Sequence, residues 1–412
     1  MNILILGAGA REHAFAYGLS RSPTVHKIYA CPGNAGMKEF CTRLPFSSNS
    51  DLINVVKDRV ELAVVGSPKY IELGTVDALT RAGIPVIGPA ADAGRIETSK
   101  AFAAKFIARH NIPAPFTHVV ANRAEAEAFI HENPWVQVVK CDGFAAGTGV
   151  AVVDNPDEAI GAVHRLLKTH GPPLILQERL QGLECSFAIL TDGQQWISFS
   201  SCRDYKKIGE HDEGPTTGGM GAVSPCPGLT REVEAEIQRR IVEPTVAGLR
   251  MDKLTYHGFL SFQLMLTTRG PKVLEFNARL GDPEAQSILA RFRGNLADLL
   301  LDCARGRLES LGSEVAFGRH FAVSVVLARQ GYPLDESAQP RVAGFESIRE
   351  STITHSGSEI DPGSTSYRFG GGRLMTLTAL GDTLEQARNT CYDDIRRLDL
   401  TNVIYRRDIG SA

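Results

Sequence analysis

Residues 138–150 read VVKCDGFAAGTGV, and this stretch decides which kind of phosphate-binding fold the chain can form. An apolar strand pattern runs into a glycine-rich turn, and a second strand pattern, 150–153, follows directly. A Walker loop would lead into a helix, so the pattern predicts a strand–loop–strand hairpin. Such a hairpin can fold its backbone N–H groups over the phosphates of a nucleotide, while Lys140 supplies positive charge. Taken alone, a glycine-rich hairpin is more often only a loop.

A second polar stretch, LEFNARLGDPE, begins at residue 274 and stands at the end of a predicted strand. The two-residue period of a strand places Glu275, Asn277 and Arg279 on one face. Mg²⁺ is coordinated by carboxylate and amide oxygens together with nucleotide phosphates. Arg279 could donate hydrogen bonds to a carboxylate or phosphoryl oxygen. The alternative is a solvated polar face, but the two further acids that follow favour a site.

Between these stretches lie Asp204-Tyr205-Lys206-Lys207 and the segment GPTTGGMGA at 214–222. So many glycines and hydroxyls predict close backbone approach to an anionic ligand, or a mobile flap. A flexible linker is the alternative.

The N-terminal segment GAGAREH, residues 7–13, follows a strand pattern and invites a dinucleotide interpretation. That interpretation is weak, because the third glycine is missing and the second strand ends in ACPGN, not in an acid. A second glycine-rich loop, PGNAG at 32–36, ends the neighbouring strand. Two such loops converge where open α/β sheets bind ligands, so we expect a phosphorylated small molecule here. The alternative is a tight strand–helix turn.

The amino-acid composition limits the classes of protein to which the chain can belong. The chain has 412 residues, 43% hydrophobic and 22% charged, with a formal net charge of -3. This balance argues against disorder, a membrane surface or a nucleic-acid partner, and the length predicts two to four domains. No apolar run approaches the roughly 20 residues of a membrane span, and no secretory leader is evident. The eight cysteines form no CxxC pair, which favours a reducing cytoplasm over disulfides or zinc.

Strand and helix patterns predict an α/β and α+β multidomain chain. Four short apolar strands in the first hundred residues indicate a doubly wound parallel sheet. Ser99 is the expected N-cap of a helix through His110, and Pro113 and Pro115 then interrupt the chain. We expect a helix over 232–249 and another over 384–398. The predicted domains are 1–112, 113–182, 183–312 and 313–412.

Taken in order, nine segments resemble the glycinamide ribonucleotide synthetase family from end to end: GAGAREHA, PGNAG, SKAFAAKFIARHNIPAP, KCDGFAAGTGV, GPTTGGMGA, EFNARLGDPE, GYP, GGGRLMTLTALG and RRDIG. Many independent motifs in the right order are far more specific than any one of them. The resemblance implies an ATP-grasp fold: an N-terminal α/β substrate-binding domain, a mobile lid domain, a catalytic domain and a C-terminal domain.

The resemblance also implies roles for individual residues. The groups contacting ATP would be Lys100, Lys140, Gly143, Gly147, Thr148, Gly149, Gln177, Glu178, Leu180 and Glu184. The ligands of Mg²⁺ or Mn²⁺ would be Glu275 and Asn277, and the catalytic residues Lys140, Asp204 and Arg279. The substrates would be bound by Gly9, Arg11, Gly33, Asn34, Lys206, Thr217, Gly218, Gly219, Arg279 and Asp282.

The implied reaction is ATP-dependent formation of an amide from a carboxylate and an amine. ATP would convert the carboxylate into an acyl phosphate, and the amine would displace phosphate, with release of ADP and Pi. In the family the acid is glycine and the amine is 5-phosphoribosylamine. The expected partners are therefore small molecules, not nucleic acid or membrane, with a monomer or small homo-oligomer in the cytoplasm.

This sequence departs from the family pattern at six positions. Pro68 replaces an acid after the fourth strand, Thr148 replaces a lysine in the hairpin, and Gln177 replaces an acid at the hinge. The other three departures are Tyr205, Thr216 and Gln263. Gln263 stands where the family has glycine and is a candidate to face the metal. Two alternatives follow: a paralogous ligase that uses a different amine in specialised metabolism, and a non-catalytic nucleotide-binding protein.

Overall fold

The structure is a computed structural model that describes residues 1–143, 149–311, 317–361 and 367–411. The predictions for Gly147 and Thr148 lie outside the described residues. No helix in the described part of the chain has the length and apolar character needed to span a membrane.

The N-terminal unit is a five-stranded parallel sheet in the order β3-β2-β1-β4-β5. Its strands are β1 (Asn2–Gly7), β2 (Lys27–Pro32), β3 (Cys41–Arg43), β4 (Leu62–Val65) and β5 (Val86–Ile87). Its helices are α1 (Ala10–Ser20), α2 (Asn49–Val56), α3 (Pro68–Glu72), α4 (Thr75–Arg81) and α5 (Ala91–Thr98). The four predicted strands are confirmed. Sequence reasoning missed β3, a three-residue edge strand without an apolar run.

A second unit forms a small four-stranded antiparallel sheet in the order β6-β9-β7-β8. It follows α6 (Lys100–Arg109), whose predicted cap is confirmed because Ser99 Oγ accepts a hydrogen bond from Phe102 N at 3.1 Å. Its elements are β6 (Thr117–Val120), α7 (Arg123–Glu132), β7 (Val136–Cys141), β8 (Val150–Val152), α8 (Pro156–His170) and β9 (Leu174–Glu178). Antiparallel pairing of β7 with β8, with Lys140 opposite Val150, confirms the predicted hairpin. The unit has an apolar core of its own.

The rest of the chain is organised by a nine-stranded antiparallel sheet, whose main path is β14-β13-β10-β11-β12-β15-β20-β17. Its first half comprises β10 (Leu183–Thr191), β11 (Trp196–Asp204), β12 (Gly221–Ser224), α9 (Arg231–Ile237), α10 (Glu243–Met251), β13 (Gly258–Thr267), β14 (Gly270–Asn277), α11 (Glu284–Arg291) and α12 (Leu296–Ala304). The helix predicted over 232–249 is interrupted by a π-helical turn, Gln238–Val242. Pro244 explains the interruption, because its ring lacks an N–H and crowds the preceding turn.

The C-terminal hundred residues extend the same sheet. They comprise β15 (Phe321–Arg329), β16 (Arg341–Ala343), β17 (Thr352–His355), β18 (Ser358–Ile360), β19 (Tyr367–Phe369), β20 (Arg373–Gly381), α13 (Leu384–Arg396), β21 (Asp399–Thr401) and β22 (Val403–Ile404). Strand β12 pairs with β15, Gly221–Ser224 against Ala322–Val325, so one hydrogen-bonded ladder joins strands that precede residue 312 to strands that follow residue 320. The C-terminal part is therefore continuous with the sheet that carries the site.

Candidate active site

One cavity of about 680 Å³ lies between the small antiparallel sheet and the nine-stranded sheet. Most of the residues predicted to bind ATP, metal or substrate line it. Those that do are Lys100, Lys140, Gly143, Gly149, Gln177, Glu178, Glu184, Asp204, Lys206, Thr217, Gly218, Glu275, Asn277, Arg279 and Asp282. They lie up to 182 positions apart in the chain, from Lys100 to Asp282, so the tertiary fold assembles the site.

One end of the cavity is apolar and suits a flat base. Its walls are Ala103, Ala104, Ile107, Ala108, Ile112, Ala114, Phe116, Ile175 and Phe276. At this end Gln177 Nε2 donates to Thr117 Oγ1 at 2.9 Å, which leaves the amide oxygen available as an acceptor. The Glu178 carboxylate is already engaged, because it accepts from Phe116 N and from Lys272 Nζ, both at 2.9 Å.

The base of the glycine-rich hairpin is tied to the start of α6. Lys100 Nζ donates to the Gly143 carbonyl at 2.7 Å. The Asp142 carboxylate accepts from Ser99 Oγ and from Ala101 N, each at 3.1 Å. Two lysines therefore flank the base of the hairpin. Lys100 contacts the Gly143 carbonyl, and Lys140 lies on β7 just before the loop.

Lys140 is the most deeply buried cation of the predicted nucleotide site. Its side chain is 8% exposed, and Nζ donates to the Leu274 carbonyl at 3.3 Å. Burial lowers the pKa of Lys140 to about 8, although the nearby Glu275 carboxylate acts in the opposite direction. A bound nucleotide phosphate would provide a negatively charged partner for this buried ammonium group.

Glu275 and Asn277 present oxygens that fit a divalent cation. Among the described residues, the Glu275 carboxylate accepts no hydrogen bond, and Asn277 Oδ1 has only a 3.5 Å contact from Arg279 Nη2. Burial disfavours a charged Glu275, but Lys206, Lys140 and other cations outweigh it and lower the pKa of its carboxyl. An ionised carboxylate beside an amide oxygen is a donor set that Mg²⁺ accepts.

Arg279 is oriented by a residue that sequence reasoning missed. Glu97 lies 2.8 Å from Arg279 Nη2, and the same carboxylate accepts from Ala278 N at 2.7 Å. Arg279 Nε is buried without a hydrogen-bond partner in the described structure. A buried donor without a partner is costly, so this N–H points to an acceptor supplied by a ligand. In the sequence, Glu97 could have been noticed as an acidic residue three positions before Lys100.

Asp204 is the acceptor that complements this donor. Its Oδ1 is buried with no hydrogen-bond partner among the described residues. Burial and the neighbouring Glu284 carboxylate raise the pKa of Asp204 well above its usual value. Gly219 must be glycine here, because its φ is +109° and a Cβ would lie 2.8 Å from Asp204 Oδ1. Two residues that line the cavity, Arg279 and Asp204, thus each keep one buried polar atom without a partner in the described structure.

The glycine-rich segment 217–219 is held by the C-terminal part of the chain. Gly218 N donates to Tyr332 Oη at 3.1 Å, and Arg373 Nη1 donates to the Gly218 carbonyl at 2.7 Å. Arg373 also donates to the Asp282 carbonyl at 2.6 Å. Neither Tyr332 nor Arg373 was predicted, although the GGGR segment that contains Arg373 was among the matching motifs.

The N-terminal glycine loops do not line the cavity. Gly9 N and Arg11 Nε donate to the buried Glu12 carboxylate at 2.7 and 2.8 Å, while Arg11 N lies 3.3 Å from Asp282 Oδ2. Gly9 and Arg11 therefore stand behind a residue that does line the cavity, Asp282. Their predicted contact with substrate stays a prediction.

Asn34 is covered by the C-terminal part of the chain. Asn34 Nδ2 donates to the Ala8 and His355 carbonyls at 2.9 and 2.8 Å, and the residue is fully buried. Gly33 is buried beside it. Leu180 and Gly219 are the other predicted residues that lie outside the cavity lining. Asn34 therefore joins the N-terminal loop to the C-terminal part, and the predicted contact of Gly33 and Asn34 with substrate stays a prediction.

Comparison with known proteins decides the family. The sequence matches three Phosphoribosylglycinamide synthetase profiles: the N domain over residues 1–97, the ATP-grasp (A) domain over 98–285 and the C domain over 322–412. A phosphoribosylamine–glycine ligase of Chlorobaculum tepidum is 37% identical, covering 100% of this chain and 99% of that protein. One from Vibrio cholerae is 36% identical, covering 100% and 98%.

The chain belongs to the phosphoribosylglycinamide synthetase family.

Solved structures agree with this membership of the phosphoribosylglycinamide synthetase family. The crystal structure of phosphoribosylamine–glycine ligase from Thermotoga maritima aligns with a TM-score of 0.86 and 28% identity, covering 99% of this chain and 100% of that one. A biotin carboxylase domain from Hydrogenobacter thermophilus, complexed with ADP and its magnesium salt, gives a TM-score of 0.70 at 14% identity, covering 98% and 91%. The latter likeness shows the fold alone. The predicted ATP-grasp fold and ligase class are confirmed.

Five of the six departures from the phosphoribosylglycinamide synthetase pattern lie in the described part of the chain. Gln177, Thr216 and Gln263 line the cavity. Tyr205 is buried behind it, where its hydroxyl accepts from Gly410 N at 3.2 Å. Pro68 forms the first position of α3, a place that proline favours because no helical N–H is needed there.

Proposed function

We propose that this chain is an ATP-dependent ligase that joins glycine to 5-phosphoribosylamine through an acyl phosphate, with release of ADP and Pi. The observation that carries the proposal is that one cavity combines an apolar end, two lysines, a magnesium donor set, and Arg279 and Asp204, each of which keeps an unpaired buried polar atom. Two relatives that match over the full length are named phosphoribosylamine–glycine ligases, which supports the choice of substrates.

In the proposed reaction, the adenine occupies the apolar end and its amino group donates to the Gln177 amide oxygen. Lys100 and Lys140 neutralise phosphate oxygens, and Glu275 with Asn277 would hold Mg²⁺. When bound, the metal would supply positive charge that offsets the charge of the phosphates. These fixed charges stabilise the transferring phosphoryl group, which is the main contribution a protein makes to such a step.

Amide formation then follows in two balanced steps. The glycine carboxylate attacks the γ-phosphorus, and the bond between the γ-phosphorus and the leaving oxygen of ADP breaks. The amine nitrogen next attacks the acyl carbon, phosphate leaves, and the nitrogen loses a proton. Arg279 Nε suits the carboxylate oxygen and Asp204 Oδ1 suits an N–H donor, because each is buried and unpaired. Closure of the small antiparallel sheet would exclude the water that hydrolyses acyl phosphates.

The first test is the dependence of ADP release on all four components. Turnover is expected only when ATP, Mg²⁺, glycine and an amine are present together, because the cavity combines a phosphorylation site with a second polar site. A coupled assay of ADP with each component omitted in turn measures this dependence. ADP release that does not depend on an added carboxylate would contradict the proposal. Complete absence of ADP release with tight ADP binding would favour the non-catalytic alternative.

The second candidate function is a paralogous ligase that uses a different amine, and Pro68 is the observation that favours it. A carboxylate at this position could accept hydrogen bonds from ribose hydroxyls or from the amine, and proline cannot. The buried Glu12 carboxylate fills the neighbouring space, since a Cβ at Gly66 would lie 2.1 Å from Glu12 Oε1. An active site that lacks this hydrogen-bond acceptor discriminates less strongly between 5-phosphoribosylamine and other amines.

Steady-state kinetics with glycine and freshly made phosphoribosylamine separate the two candidates. If the main proposal holds, kcat/KM reaches about 10⁴ M⁻¹s⁻¹ or more, the range of ordinary enzymes, and the gene rescues a purine-requiring strain. Poor turnover of phosphoribosylamine, together with brisk turnover of another amine in an ADP-release screen, would establish the paralogous function instead.

A further inference from the structure

Gln263 lies at the centre of the cavity, and the predicted roles do not account for it. It stands on β13 directly opposite Glu275 of β14, in the register of the antiparallel pair. Its side chain is 5% exposed and lines the cavity. An uncharged amide here, where family members usually have glycine, adds a polar group beside the predicted metal and carboxylate positions.

The Gln263 amide connects groups on three other elements. Nε2 donates to Ser186 Oγ and to Glu284 Oε1, both at 3.2 Å. Oε1 accepts from Lys206 Nζ at 3.3 Å. Both N–H groups and the oxygen of the amide are therefore used within the protein. Glycine at this position could form none of these contacts.

The two charged partners need this amide for different reasons. Lys206 carries a flexible four-carbon chain, and its ion pair in the described structure, with Glu184, is long at 4.0 Å. More distant carboxylates, those of Glu275, Asp204 and Glu284, also attract its ammonium, but only Gln263 in the described structure holds it by a hydrogen bond. Glu284 is 3% exposed, and its carboxylate lies over Gly281, where a Cβ would be 2.1 Å from Oε1. Because a buried carboxylate requires donors, the N–H of Gln263 fixes which way it faces.

We propose that Gln263 is a positioning residue, which holds the Lys206 ammonium and the Glu284 carboxylate around the reacting carboxylate of the substrate. This inference rests on the proposed ligase function. The remaining N–H groups of Lys206 then face the acyl phosphate, and Glu284 stays beside Asp204. Within the described residues, the side-chain hydrogen bonds of Gln263 reach none of the apolar walls, so its removal should affect the acid more than ATP.

The test compares Gln263→Met with Met265→Leu. Methionine matches the length of glutamine without its hydrogen bonds, while Met265 lies two positions along β13 and supplies the matched apolar control. For Gln263→Met, we expect kcat/KM for the carboxylate to fall by on the order of ten- to a hundredfold, the scale of losing hydrogen bonds to charged groups. The KM for ATP and the dissociation constant of MgADP, measured by calorimetry, should stay within about twofold.

A second readout isolates acyl phosphate formation. Hydroxylamine replaces the amine and traps the acyl phosphate as a hydroxamate, and the rate of trapping should fall in Gln263→Met as steeply as full turnover does. Gln263→Gly should show the same loss, because it removes the same contacts. Wild-type kinetics in Gln263→Met would overturn the inference, and so would an equal loss of MgADP affinity, which would indicate a general structural role. If the wild type itself does not ligate glycine, the proposed function fails and this inference fails with it.

Discussion

Lys140→Ala is expected to lower kcat by a factor on the order of 10² or more while leaving the fold intact. Lys140 is buried in the cavity, close to Glu275, Lys100 and Lys206, and it contributes a cation where the phosphoryl group would be transferred. Among the residues that the structure describes, its ammonium donates one hydrogen bond, to the Leu274 carbonyl, so the fold depends little on its charge. Steady-state kinetics with saturating substrates measure the loss, and circular dichroism checks the fold.

Lys105→Ala is the matched control for this variant. Lys105 lies on α6, is exposed to solvent and does not line the cavity. Its removal changes the net charge by the same amount, and turnover should be unchanged. If Lys140→Ala kept wild-type kcat while correctly folded, the assignment of Lys140 to phosphoryl transfer would be wrong.

Glu275→Gln should reduce kcat by a similar factor, on the order of 10² or more, for a different reason. Glutamine keeps the size and one oxygen of the side chain but removes the charge that would hold Mg²⁺. Among the described residues, the Glu275 carboxylate accepts no hydrogen bond, so its replacement costs the fold little. Activity should require a higher Mg²⁺ concentration than in the wild type, which a titration of kcat against Mg²⁺ measures.

Glu232→Gln provides the control, because Glu232 is an exposed residue of α9 outside the cavity. It should titrate with Mg²⁺ as the wild type does. An unchanged Mg²⁺ dependence and unchanged kcat in Glu275→Gln would remove this carboxylate from the metal site and leave Asn277 without its partner ligand.

The amino-acid sequence by itself determined the features that depend on neighbours in the chain. The strand–loop–strand hairpin at 138–150, the cap at Ser99 and the shared face of Glu275, Asn277 and Arg279 all follow from local periodicity and turn chemistry. The structure confirms the hairpin and the cap, and it brings the three side chains to one cavity. The ordered motifs also identified the family correctly.

Only the tertiary structure decided which distant groups complete the site. Glu97 orients Arg279 from 182 positions away, and Tyr332 with Arg373 holds the segment at Gly218 from across the nine-stranded sheet. Such contacts cannot be predicted from the periodicity of the sequence, because the order of the strands in the sheet determines which distant residues meet. The same sheet extends into the C-terminal part, whose His355 carbonyl covers Asn34. Glycine loops that could bind a ligand when judged from sequence are thus partly occupied by the protein's own backbone.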